Sequence, residues 1–173
     1  MLKTRKEIAL WEAVTRYFKT NKNEWNKLYS ILNKETSNVP SLRCIFYYVS
    51  KYSKYNIITH IKNSNPFQIY NKYRQMMKVH TKKCFDPFCR KKRVNLTLHN
   101  KSIVTNVAQL VFFRWLLSNN VYTDLLNDYP KVLQKMKEER KMKIKINNNT
   151  NDLVCMKISI PCNTSLKIKL KFD

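Results

Sequence analysis

Apolar positions recur at helical spacing through residues 1–80. Leu10, Trp11, Val14, Tyr17 and Phe18 fall at i, i+1, i+4, i+7 and i+8, one stripe of a helix. Asn23 stands where a cap precedes a second helix, with Trp25, Leu28 and Leu32 on its inner face. Pro40 interrupts, and Ser41 precedes a third set: Leu42, Ile45, Phe46, Val49 and Tyr52. Ser64, Asn65 and Pro66 predict the start of a fourth helix, because proline at the first helical position forfeits no hydrogen bond. Phe67, Tyr70, Tyr73, Met76 and Met77 would line it. These aromatic residues sit at packing intervals, which reads as core rather than as a base-stacking platform.

The pattern changes at residues 81–104. Val94 to Leu98 alternates like a strand, and His99 to Ser102 turns the chain into Ile103 and Val104, a small hairpin. Thr105 is the expected cap of a helix from Val107 to about Ser118 that is apolar nearly all round and therefore central. Arg114 is its one charge and needs a partner or a route to solvent. Asn119 and Asn120 end it, and short helices are expected near 122–127 and 130–140. Beyond Lys141 the period becomes two. Met142, Ile144 and Ile146, then Val154 to Ile160, then Leu166 to Phe172, alternate with mostly Lys positions. That predicts a three-stranded antiparallel meander with one lysine-rich face. The fold class expected is α+β, mainly helical: a helical region 1–80, a central basic module 81–140 and a C-terminal meander 141–173, which together are short enough for one compact domain.

Composition sharpens this picture. The chain has no glycine, which excludes the phosphate-cradling P-loop, the dinucleotide fingerprint and the G-x-S-x-G elbow. Tight turns must use Asn, Asp, Ser and Pro. Hydrophobic residues make up 43% and aromatics 12%, enough for a packed core. The longest apolar run, Leu110 to Leu117, is short and broken by Arg114, and the basic N-terminus lacks the apolar stretch of a secretory signal, so neither a membrane span nor export is expected. Five cysteines, an odd number, are expected to be reduced.

Charge then dominates. Lys and Arg number 34 against 11 Asp and Glu, a net charge of +23 over 173 residues. A chain of this kind repels itself and gathers around polyanions, nucleic acid first. Part of the lysine content also suits an AT-rich gene. The candidate phosphate-contacting residues are Lys82, Lys83, Arg90, Lys91, Lys92 and Arg93 in the central module, with Lys143, Lys145, Lys157, Lys167, Lys169 and Lys171 on the tail. Arg90 to Arg93 also reads as a nuclear-localisation run. No base-reading module is visible, so sequence specificity is not expected.

Other chemistry has less support. His80, Cys84, Cys89 and His99 supply zinc-type ligands, but the spacing is not that of a knuckle and a second pair is missing, so no metal and no cofactor is expected. The carboxylates are scattered, which disfavours a two-metal nuclease, and no nucleophile signature appears, so no enzymatic activity is expected.

Phe85-Asp86-Pro87-Phe88-Cys89-Arg90, then Ile103-Val104-Thr105-Asn106-Val107-Ala108-Gln109-Leu110, then Phe112-Phe113-Arg114-Trp115 and Asn120-Val121 form a recognisable string. The segment of about 85–140 resembles an uncharacterised domain of large double-stranded DNA viruses, particularly of the iridovirus type. It differs from that pattern in having Ala108 where glycine is expected. The resemblance implies a viral origin and, by analogy, DNA association in the host nucleus, a cytoplasmic virus factory or the virion. The expected function is non-enzymatic, sequence-tolerant nucleic-acid binding through phosphates, duplex DNA foremost. The alternative is a virion structural protein or adaptor whose basic surface meets the packaged genome or an acidic viral or host protein.

Overall fold

A computed structural model of the chain describes residues 5–35, 39–56, 58–62, 65–80, 83–90 and 93–154. Helix α1 (Arg5–Thr20) buries Val14 and Phe18, the centre of the expected stripe. Helix α2 (Lys22–Asn33) buries Trp25, Leu28 and Ile31, with Leu32 partly covered beside them. Phe18 and Trp25 join the two helices edge to face, centroids 5.9 Å apart. The cap of α2 is Asn21, not Asn23. With one residue between the helices, the Asn21 amide turns back and donates to the Tyr17 carbonyl at 2.9 Å, closing α1 instead.

The third apolar set forms α3 (Leu42–Tyr47), and Ser41 caps it, accepting from the Cys44 N–H at 3.2 Å. The helix then widens into a π-helical turn, Tyr48–Tyr52, and closes with α4 (Ser53–Tyr55). Within it Ser50 and Ser53 donate to the carbonyls of Phe46 and Val49, side-chain bonds that compete with the regular ladder.

Of the expected helix start at residues 64–66, Asn65 and Pro66 lie in a strand and Ser64 lies outside the described residues. β1 (Thr59–Lys62) pairs antiparallel with β2 (Asn65–Gln68), Pro66 opposite Ile61. Each strand of a two-stranded ribbon has an open edge, where proline's missing N–H costs nothing. The helix begins three residues later, as α5 (Ile69–His80), with Ile69 and Tyr73 buried.

The central hairpin forms as expected. β3 (Val94–Leu98) pairs with β4 (Lys101–Thr105). His99 and Asn100 turn the chain with φ of 49° and 64°, left-handed positions held without glycine. Thr105 stays in β4 opposite Val94, and Asn106 caps the next helix, accepting from the Gln109 N–H at 3.0 Å. That helix, α6 (Val107–Ser118), is buried on nearly every side. It packs against α1, while β4 packs against α2. Phe112, Phe113, Leu110 and Leu116 are fully covered, so α6 is the axis of the core.

Two expectations fail after Asn120. In place of two short helices, one helix, α7, runs Val121–Val154 with Pro130 inside it. Pro130 is exposed, and so is Leu126 one turn earlier, so the carbonyl that lacks its donor lies on the water side. Residues 141–146 are also helical, which removes the first strand of the meander. Lys, Met, Glu and Arg dominate 135–143, and a helix already nucleated extends more cheaply than an unpaired strand forms. The other two expected strands lie outside the described residues, apart from Val154, which ends α7.

The chain divides into two compact units, Met1–Met136 and Lys137–Asp173. Among the described residues no helix is long and apolar enough to cross a membrane.

Replacing Pro130 by Ala should restore one helical hydrogen bond and stabilise the protein by about 1–3 kcal/mol, within the cost of an interior proline. Urea denaturation measures it; an unchanged or lower midpoint would mean that the proline sets a bend required by the packing of Leu125 and Val132, both fully buried.

Candidate nucleic-acid interface

The string Phe85 to Arg90 becomes a turn clamped to the start of α6. Asp86 Oδ1 accepts from the Phe88 N–H at 2.9 Å, and Cys89 N–H donates to the Asp86 carbonyl. Two amides fasten the turn from outside. Asn106 Nδ2 donates to the Cys89 carbonyl at 3.0 Å, and Gln109 Nε2 donates to the Pro87 carbonyl at 3.1 Å. Gln109 Oε1 accepts from the Thr105 hydroxyl at 3.0 Å. Asn106 and Gln109 are about 5% exposed or less, so each bond satisfies a group that water cannot reach. Phe85 fills the remaining space, touching Phe112, Trp115, Tyr73 and His80. Phe88 meets Phe46 of α3, centroids 5.4 Å apart.

The clamp presents the basic segment at the surface. Lys83, Arg90 and Arg93 are exposed; Lys82, Lys91 and Lys92 lie outside the described residues. Lys143 and Lys145 fall in α7 rather than in a strand, so period two no longer places them on one face. Lys157, Lys167, Lys169 and Lys171 lie outside the described residues. Of the zinc-type residues, Cys84 is buried and Cys89 half-buried, and both are free thiols. His80 stacks on Phe85, and His99 Nε2 pairs with the Phe18 carbonyl of α1 at 3.2 Å. Among the described residues no three His, Cys, Asp or Glu gather as metal ligands would. Burial pushes the Cys44 thiol up to about 11, which keeps it protonated and unreactive.

Sequence reasoning missed one basic face. Between Glu35 and Asp124 the chain has a single carboxylate, Asp86, and that group is engaged inside the turn. The cations of α4 and α5 therefore have no acidic neighbours in sequence. Arg74 and Lys78 line a groove of about 400 Å³ with Ser50, Tyr70, Tyr73 and Met77. Lys54 Nζ lies 5.3 Å from the ring centroid of exposed Tyr55 and 5.9 Å from that of Tyr70. The readable signal was the carboxylate gap, which net charge averages away.

A clamped, carboxylate-poor basic surface on a mainly helical scaffold is thus the class of site this fold builds. The chain belongs to a family of unknown function (DUF7197), whose match covers residues 2–161. It is 30% identical over 129 residues to "Uncharacterized protein L507" of Acanthamoeba polyphaga mimivirus, an alignment covering 68% of this chain and 49% of that protein. The chain spans about half the length of this curated relative. The resemblance to proteins of large DNA viruses holds at that level. No solved structure matches the chain.

Changing Gln109 to Ala should leave the Pro87 carbonyl and the Thr105 hydroxyl buried without their partner, costing about 1–3 kcal/mol. Trypsin should then cut at Lys83, Arg90 or Arg93 sooner than in the parent protein. Equal cleavage rates at these sites would mean that the turn holds without the clamp.

Acid should weaken the protein through His80. Burial first, then the charges of Lys6 and Arg114, hold its imidazole below the ordinary value. The unfolded chain therefore takes up this proton first as pH falls, so stability is full above about pH 6.5 and declines as pH falls from there toward the lower folded pKa. A His80→Gln variant should show a flatter urea midpoint between about pH 7 and 5; parallel curves for the two proteins would remove His80 as the cause.

Proposed function

We propose that the protein is a non-enzymatic, sequence-tolerant nucleic-acid-binding protein of a large DNA virus, acting on phosphates and on duplex DNA foremost. The observation that carries this reading is the charge distribution: +23 overall, and one engaged carboxylate across the whole span between Glu35 and Asp124. A surface of this kind gains its affinity from releasing the counterions condensed on a phosphate backbone. Arg90 to Arg93, with Lys82 and Lys83, form the first binding region, and the tail lysines Lys157, Lys167, Lys169 and Lys171 are a separate set of candidates. The absence of glycine-rich loops and of base-reading motifs favours grip over readout. The iridovirus-type likeness of residues 85–140 belongs to the same reading. The host nucleus or a cytoplasmic virus factory is the setting where such a grip is useful.

Binding to duplex DNA measured across a salt series tests this. Affinity should be high at low salt and fall steeply, with little dependence on sequence. Replacing Arg90, Lys91, Lys92 and Arg93 together by Ala should reduce the slope by about 0.9 for every phosphate that the variant leaves unneutralised, with an unchanged fold. No binding at low ionic strength, or a slope indifferent to the cluster, would transfer support to a virion structural protein or adaptor with an acidic protein partner.

A further inference from the structure

Arg114 is half-buried on the most apolar helix of the protein, and among the described residues no carboxylate pairs with it. The Tyr17 ring lies against it, 5.0 Å from the guanidinium carbon to the centroid. A partly desolvated cation normally has an anion beside it. Arg114 borders a cleft of about 380 Å³ between α1, α5 and α6, within the range of small-molecule sites. Lys72 and His80 of α5 line the same cleft, and none of its lining residues is acidic. Trp115 lines it too, and its indole N–H is buried with no hydrogen-bond partner, at 4% exposure of the residue. Ser118 and Asn119 add polar groups to the rim, and Leu10, Val14, Met76 and Val111 form an apolar wall.

We infer that this cleft is a phosphomonoester site, with Arg114, Lys72 and His80 around the phosphate and the apolar wall against the group the phosphate esterifies. The charge count selects this class. A carboxylate or a backbone phosphodiester carries one negative charge and leaves one of the two fixed cations, Arg114 and Lys72, uncompensated. A terminal phosphate carries close to two, which matches them, and has acceptor oxygens to spare for the N–H of a neutral His80. The lowered proton affinity of His80 agrees, since burial first, then the charges of Lys6 and Arg114, disfavour its imidazolium. The phosphate can belong to a free mononucleotide or to the 5′ end of a nucleic acid, and both present the same chemistry. This inference does not depend on backbone binding by the basic surface, because its probe is too small to span that surface.

Titration of the full chain with inorganic phosphate, followed by the Trp115 indole N–H resonance, tests the site. The resonance is assigned by its disappearance in Trp115→Phe. It should move as phosphate fills the cleft that the ring lines, and adenosine 5′-monophosphate should move it at lower concentration than phosphate, while adenosine should not. Lys72→Gln alters an exposed side chain and should weaken phosphate about tenfold, as should Arg114→Gln. A 5′-phosphorylated oligonucleotide that shifts the resonance where its 5′-hydroxyl twin does not identifies a nucleic-acid end as a source; a response to the mononucleotide alone identifies the free ligand. A resonance that ignores phosphate and mononucleotide at millimolar concentration, or affinity unchanged in folded Lys72→Gln, overturns the inference.

Discussion

Asn106 and Gln109 hold the turn Asp86 to Cys89 against α6, and much of the protein's organisation depends on that clamp. Asn106 caps α6 with its oxygen and binds the Cys89 carbonyl with its nitrogen. Gln109, one turn on, binds the Pro87 carbonyl. A buried loop carbonyl without a donor is costly, so the two amides make the burial of this turn possible. Once the turn is down, Phe85 enters the core between α5 and α6, and Phe88 reaches α3. The helices of the first eighty residues and the later hairpin then share one apolar interior, with α6 at its centre.

The same arrangement explains how so basic a chain remains folded. Among the described residues no Lys or Arg is buried, while the interior is built from aromatic pairs: Phe18 with Trp25, Tyr73 with Phe85, Phe112 with Phe113 and Trp115. Several cations use ring faces in place of carboxylates, Lys101 over Tyr29, Lys54 over Tyr55 and Arg114 over Tyr17. The excess positive charge opposes self-association.

The proposed phosphate cleft and the basic surface draw on this charge differently. The surface residues are solvated and interchangeable, and their combined number sets the strength of attraction to a polyanion. The cleft depends on a few fixed groups on two helices beside an apolar wall, a geometry suited to one small anion. Membership in a family of unknown function, with a relative in a mimivirus, is compatible with either use.

Local patterns in the sequence determined much of this protein. The stripes of α1, α2 and α3, the β3–β4 hairpin and the burial of α6 follow from spacing, because each depends on residues a few positions apart. The surplus of positive charge was equally plain. Tertiary structure decided the rest. Pro66 reads as a helix start until β1 lies beside it, and residues 141–146 read as a strand although α7 extends through them. Asn106 and Gln109 were visible as part of a string, but their carbonyl partners lie 17 and 22 residues away, beyond any local pattern. Arg114 announced the need for a partner, and only the packing of α5 against α6 brought Lys72 and His80 to the same cleft. Spacing encodes which face of an element is apolar; which faces meet is set by the packing of all of them at once.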